Sequence, residues 1–239
     1  MLEIKNLTKR FGGFTALSSI NLDVKSGERL GLIGPNGSGK TTLINCICGV
    51  IQDYEGEVYF DGESLNSLAP HKRAKKGISR SFQIPKPFNS MTIRQNLIIP
   101  LEYAVREGIR SRIDMESEVD QIIENMQLSE LADQLPTNLT QIDMRKLELA
   151  RAMVAKPKLL ISDEAMAGLS SSEIDDILKI LIALNENTNV TIIMIEHIMR
   201  AVMSFSERVV CFDAGEVIAN TTPEEVVKVP AVERAYLGE

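Results

Sequence analysis

The sequence predicts an α/β fold built on a parallel sheet, with an antiparallel β subdomain near the start and a helical subdomain inserted in the middle. Three observations predict it. Leu159-Leu160-Ile161 and Val190 to Ile195 are nearly continuous apolar runs, as expected of strands covered on both faces. Between them Ile174, Ile177, Leu178, Leu181 and Ile182 recur at helical spacing. A third apolar run, Leu30 to Ile33, leads straight into a glycine-rich loop.

Along the first sixty residues, Leu2 and Ile4, then Ile20, Leu22 and Val24, then Val58 and Phe60 follow a two-residue period, with Gly12-Gly13, Ser26-Gly27 and Asp61-Gly62 as turns. This is the pattern of antiparallel strands. The glycine-rich loop then opens a helix from Thr42 to about Val50. After Pro70, the basic run His71-Lys72-Arg73-Ala74-Lys75-Lys76 reads as the solvated first turn and flank of another helix. From Asn89 to Ala155 the pattern is helical and rich in Glu, Asp and Arg, and the charged stretch Glu107 to Glu118 reads as an exposed helix or loop. Ser172 to Leu184 is the helix of a strand-helix-strand unit. The chain closes with a hairpin, VVCFDAGEVIA, turning at Ala214-Gly215, and a short helix from near Pro223. One domain over 1–239 is expected, with 1–88 and 156–239 forming the α/β core and its antiparallel subdomain, and 89–155 the helical subdomain.

With 239 residues and 44% hydrophobic content, the chain can bury a full core. A net charge of −7 and a pI near 5.1 argue against a binder that neutralises many nucleic-acid phosphates. No nucleic-acid partner is expected. Cys46, Cys48 and Cys211 cannot all pair and match no zinc spacing, so they read as core residues of a reduced compartment. The start of the chain lacks the apolar core of a signal peptide, and no apolar run reaches the roughly 18 residues of a membrane span. A cytoplasmic protein is expected, and any membrane role must come through a partner.

The loop reads GPNGSGKTT: Gly34, Pro35, Asn36, Gly37, Ser38, Gly39, Lys40, Thr41 and Thr42. It meets the template G-x-x-x-x-G-K-[S/T] between a strand and a helix, where curled backbone N–H groups and the positive end of the helix dipole converge on phosphate. Lys40 is placed to reach the outer phosphates, and the Thr41 hydroxyl to bind Mg²⁺. Asp163-Glu164 follows the apolar run LLIS, so an acid at the carboxyl end of a parallel strand can hold the metal and the next one can polarise an attacking water. His197 ends the other strong strand and can reach a γ-phosphate.

In this order the motifs resemble the ATP-binding subunits of ABC transporters, over essentially the whole chain. The resemblance implies a P-loop NTPase (RecA-like) core that binds ATP with Mg²⁺. It makes Phe11 the aromatic that stacks on adenine, Gln83 of Ser81-Phe82-Gln83 the Q-loop glutamine at the metal and γ-phosphate, Asp163 the Walker B metal acid and Glu164 the catalytic base. Ala167-Gly168-Leu169 looks like the D-loop and His197 like the switch histidine. KRFGGFTAL, GISRSFQ, IEHIMRAVM and VERAYLGE are similar to the subgroup that energises branched-chain amino acid uptake, while lipopolysaccharide-export ATPases share part of the pattern. The resemblance further implies an ATPase on the inner face of a membrane, working with permease subunits, a second ABC ATPase subunit and, indirectly, a substrate-binding protein.

The sequence departs from the family at its signature loop, LSGGQ. Here the equivalent is Leu139-Thr140-Gln141-Ile142-Asp143, ahead of the helix RKLELARA. Thr140 keeps a hydroxyl for the partner's nucleotide and can N-cap the helix, with Asp143 completing a capping box. Both glycines are gone, so bulk and a negative charge stand where backbone should approach phosphate. Ala165 also replaces the proline usual after the catalytic glutamate. These departures point to an asymmetric heterodimer, with a homodimer as the alternative arrangement. They also admit a second function, a nucleotide-binding regulatory partner with little hydrolysis; a soluble ABC protein of DNA repair or translation is disfavoured, since tandem cassettes or a long coiled coil do not fit this length.

Overall fold

Each apolar run becomes a short strand. The computed structural model describes residues 1–81, 85–104 and 112–237. In chain order the first elements are β1 (Leu2–Phe11), β2 (Phe14–Val24), β3 (Arg29–Ile33), α1 (Lys40–Cys48), β4 (Glu55–Phe60), β5 (Glu63–Ser64), α2 (Pro70–Lys76) and β6 (Ile78–Ser81). Next come α3 (Ile93–Ala104), α4 (Arg112–Asn125), α5 (Gln141–Met153), β7 (Leu159–Asp163) and α6 (Ser171–Thr188). The last are β8 (Thr191–Ile195), α7 (Met199–Phe205), β9 (Arg208–Asp213), β10 (Glu216–Thr221), α8 (Pro223–Val226) and α9 (Pro230–Leu237).

The chain divides into two units, Met1–Arg73 with Thr191–Glu239, and Ala74–Val190. In the first unit, β2, β1, β4 and β5 form an antiparallel sheet in that order. Over Leu2 to Lys5, β1 follows the two-residue period, with Leu2 and Ile4 buried and Glu3 and Lys5 exposed, and a register shift between Ile4 and Leu7 then turns Leu7 to the buried side. The same unit holds β3 between two parallel neighbours, β8 and β9, and β10 closes the antiparallel hairpin with β9. Every residue of β8 is buried, and β3 is buried except for Arg29 at its start. Behind them Ile33, Val202, Val209, Cys211, Val226 and Val232 make one core cluster. Burial pushes the thiols of Cys46 up to about 12 and Cys211 up to about 11, and none of the three cysteines forms a disulfide.

In the second unit, β6 runs parallel to β7 in the register Ile78↔Leu159 to Ser81↔Ser162. The strand β6 has no sequence signature of its own, because only Ile78 and Ser81 of its four residues are buried. Helices α3, α4 and α5 pack on one another, and Leu97, Leu101, Val119, Ile123, Leu147 and Leu149 on them are buried. The helix α6 spans the expected apolar stripe and starts on a complete capping box between Ser170 and Glu173. Residues 107–111 of the charged stretch, and Gln83, lie outside the described residues.

Two expectations need correction. The helix after the glycine-rich loop starts at Lys40, two residues early, and ends at Cys48, where Gly49 takes a left-handed cap with φ 80°. The basic run on α2 is not all solvated: Arg73 is fully buried. Its guanidinium donates to the carbonyls of Cys46, Ile47 and Leu68, the last two at 2.9 Å, so a cation sits on the negative end of α1. Arg73→Ala is expected to lower unfolding free energy by about 1–3 kcal/mol, the cost of buried acceptors losing their donor. An unmoved denaturation midpoint would contradict that role.

Candidate functional site

The glycine-rich loop leaves the carboxyl end of β3 and is braced from behind. Gly34 has φ 143°, and a Cβ there would lie 2.1 Å from the Phe212 carbonyl oxygen on β9, so no other residue fits without moving backbone. Gly39 has φ 106°, with the Ala16 carbonyl oxygen 2.7 Å from a Cβ position. The Gly215 N–H donates to the Ser38 carbonyl at 3.0 Å, tying the β9–β10 turn to the loop.

The helix end that the loop presents is bare. Gly39 is the N-cap of α1, no side chain caps it, and its first turn holds no acid. No carboxylate therefore competes there, and the positive end of the dipole favours an anion. Lys40 is 5% exposed, and its Nζ donates to the Gly34 and Pro35 carbonyls at 2.7 and 2.9 Å and to Ser38 Oγ at 3.4 Å. The ammonium thus rests on acceptors of the loop it would share with phosphate. Thr41 is exposed and Thr42 half-buried at the same helix start, and Asn36 and Gly37 are exposed at the loop's tip.

His197 also belongs to this unit. It lies two residues past β8, exposed, after the buried Glu196. Since Leu32 pairs with Ile195, His197 and the loop leave the same end of two adjacent parallel strands. Phe11 ends β1 with 49% exposure, and Lys9 Nζ stands 4.7 Å from its ring centroid. The exposed part of the ring is available for stacking.

The second unit carries the acids. Asp163 ends β7, buried, and its Oδ2 accepts from Arg80 Nε at 3.2 Å and from Nη2. Glu164 follows, half-buried, with φ 48° in the left-handed region. Among the described residues no three His, Cys, Asp or Glu converge. Mg²⁺ needs no such cage, because one or two carboxylates, a hydroxyl and phosphate oxygens suffice. Asp163 is a carboxylate of that kind.

The altered loop behaves as its residues dictate. Thr140 caps α5, its hydroxyl accepting from Asp143 N–H at 3.3 Å. The Asp143 carboxylate takes the Thr140 hydroxyl instead of completing a capping box. Gln141, exposed, turns its amide to the Ala167 carbonyl at 3.2 Å, where Arg145 Nη2 also donates at 3.3 Å. Its bulk therefore engages the D-loop-like segment of its own chain.

Sequence reasoning missed three residues beside these groups. Arg80 and Tyr236 lie in GISRSFQ and VERAYLGE, stretches that served only as family marks; the Tyr236 hydroxyl accepts from the Gly34 N–H at 2.8 Å. Arg145 lies in RKLELARA, whose pattern marks a helix but not its contact with Ala167.

Residues 17–167 match the family described as ABC transporter. The chain is 36% identical to the high-affinity branched-chain amino acid transport ATP-binding protein BraF of Pseudomonas aeruginosa, covering 100% of this chain and 98% of that one. It is 34% identical to the lipopolysaccharide export system ATP-binding protein LptB of Haemophilus influenzae, with the same coverage. Among solved structures, it resembles a dimeric post-hydrolysis state of the ATP-binding cassette MJ0796 bound to ADP and Pi, with TM-score 0.83, 28% identity and coverage of 93% and 99%.

Proposed function

The chain belongs to the ABC transporter family as an ATP-binding subunit and ATPase, and from that premise we propose that it drives a separate membrane permease by hydrolysing Mg·ATP at an interface between two ATPase subunits. The observation that carries this is the bare, acid-free start of α1 behind a braced glycine loop. No helix of the described residues is long and apolar enough to cross a membrane, which fits a peripheral subunit on the inner face.

In this mechanism the amides of Gly37 to Thr42 and Lys40 hold the phosphates, and Phe11 stacks on adenine. When bound, Mg²⁺ would neutralise developing phosphate charge, held by Thr41, Asp163 and Gln83. Glu164 takes the proton of the attacking water, and His197 donates to the γ-phosphate. The helical stretch 89–155, within a single 1–239 domain, is proposed as the docking surface for the permease.

Branched-chain or other hydrophobic amino acids are the proposed cargo, supported by the BraF relative; the LptB relative supports lipopolysaccharide as the competing cargo. Uptake of labelled leucine by cells with and without the gene decides between them, and unchanged uptake would contradict the amino-acid reading.

The two nucleotide sites of the proposed dimer differ. A Thr140 hydroxyl contributes about 0.5–1.5 kcal/mol as one hydrogen bond. Against it, the Asp143 charge costs about 1–4 kcal/mol if brought within 4 Å of a phosphate charge, depending on the local dielectric. Repulsion wins, so this chain's loop is a poor donor to the partner's nucleotide. The pairing proposed is a heterodimer whose active site is built on this chain's Lys40, Asp163, Glu164 and His197. ATPase rate is expected to be low for the chain alone and to rise about tenfold or more with a partner carrying an intact signature loop, since a tenfold change needs only about 1.4 kcal/mol. Equal, fast turnover alone would contradict the asymmetry. That altered loop is also the one observation favouring the regulatory, weakly hydrolysing reading, which would keep turnover low in both preparations.

A further inference from the structure

Asp163 is already held in place by a cation on the neighbouring strand. Arg80 lies on β6 and Asp163 ends the parallel strand β7, one residue beyond the Ser81↔Ser162 pair. Their side chains are 14% and 9% exposed, and two guanidinium nitrogens converge on the single oxygen Oδ2. Among the described residues, no hydrogen bond reaches Oδ1. We propose that Arg80 is a positioning residue for the magnesium-binding carboxylate: it fixes the plane of Asp163 through Oδ2 and leaves Oδ1 for a metal-bound water.

The proposal rests on the proposed role of Asp163 in holding Mg²⁺. Two other roles are weaker on physical grounds. A buried ion pair roughly breaks even as a stabiliser, since desolvation offsets attraction, so stability alone gives little reason for the pair. A cation competing with the metal would have to leave on binding, yet occupation of Oδ2 alone leaves the other oxygen usable. The planar fork of arginine, unlike the point charge of lysine, sets an orientation as well as a charge.

The test is a titration of Mg²⁺ at fixed N-methylanthraniloyl-ATP, read by fluorescence, for wild type, Arg80→Gln, Arg80→Lys, Asp163→Asn and the Arg80→Gln/Asp163→Asn pair. The Mg²⁺ midpoint is expected to rise on the order of 10- to 100-fold in Arg80→Gln, the usual effect of removing a partner that orients a metal ligand. Arg80→Lys is expected to fall between, and the double variant to match Asp163→Asn. Nucleotide binding in EDTA should be unchanged. An unmoved or lowered midpoint overturns the proposal, and so does an equal loss in EDTA, which would mark a merely structural role. Should Arg80→Gln fail to fold, Arg80→Lys, which keeps the charge, decides alone. If Asp163→Asn leaves the wild-type midpoint in place, the assignment of Asp163 itself fails; if only the Arg80 variants do so, the failure is confined to Arg80.

Discussion

Glu164→Gln is expected to lower kcat by about 10²- to 10⁴-fold, the usual contribution of a positioned base, while leaving ATP affinity within about twofold. The amide matches the carboxylate in shape but cannot accept the proton of an attacking water. The substitution also spares the backbone, which matters at this position. Glu164 has φ 48°, and its neighbours Asp163 and Ala165 are buried at 6% and 3% exposure, so the turn is fixed from both sides. Phosphate release measured with a competent partner subunit gives kcat, and a fluorescent nucleotide gives affinity. Normal turnover would remove Glu164 from the role.

The second large effect is expected at Lys40. Its ammonium donates to two loop carbonyls, so it is buried without being stranded. With nucleotide present it gains a charged acceptor, a type of hydrogen bond worth about 1.5–3 kcal/mol. Lys40→Ala should therefore weaken ATP binding roughly 10- to 150-fold. Loss of the contacts to Gly34 and Pro35 also loosens the loop, adding to the deficit. Equilibrium binding of a fluorescent ATP analogue checks this, and an affinity within about twofold of wild type would contradict it.

Much of this was legible because it is local. A strand covered on both faces needs an apolar residue at every position, so Leu159 to Ile161 and Thr191 to Ile195 announce themselves. The β9–β10 turn was readable from Ala214-Gly215, which have φ values of 43° and 82°. The phosphate loop was legible as a spacing of glycine, lysine and threonine. Contacts between distant residues were not. Arg73 looked like one more solvated cation in a basic run, since nothing nearby in sequence shows that the carbonyls of α1 lie above it. Arg80 meets Asp163 across 83 positions, and only the β6–β7 register places them together. The short strand β6 escaped notice for a related reason: half of its side chains are only partly buried and polar, leaving no periodicity to read.

Calorimetric titration of Mg·ATP into the wild-type chain tests the central claim most directly, that the loop from Gly34 to Thr42 grips triphosphate at the start of α1. One saturable site per chain is expected, weakened when magnesium is chelated. Absence of any binding, with magnesium present and the chain folded, would contradict the account.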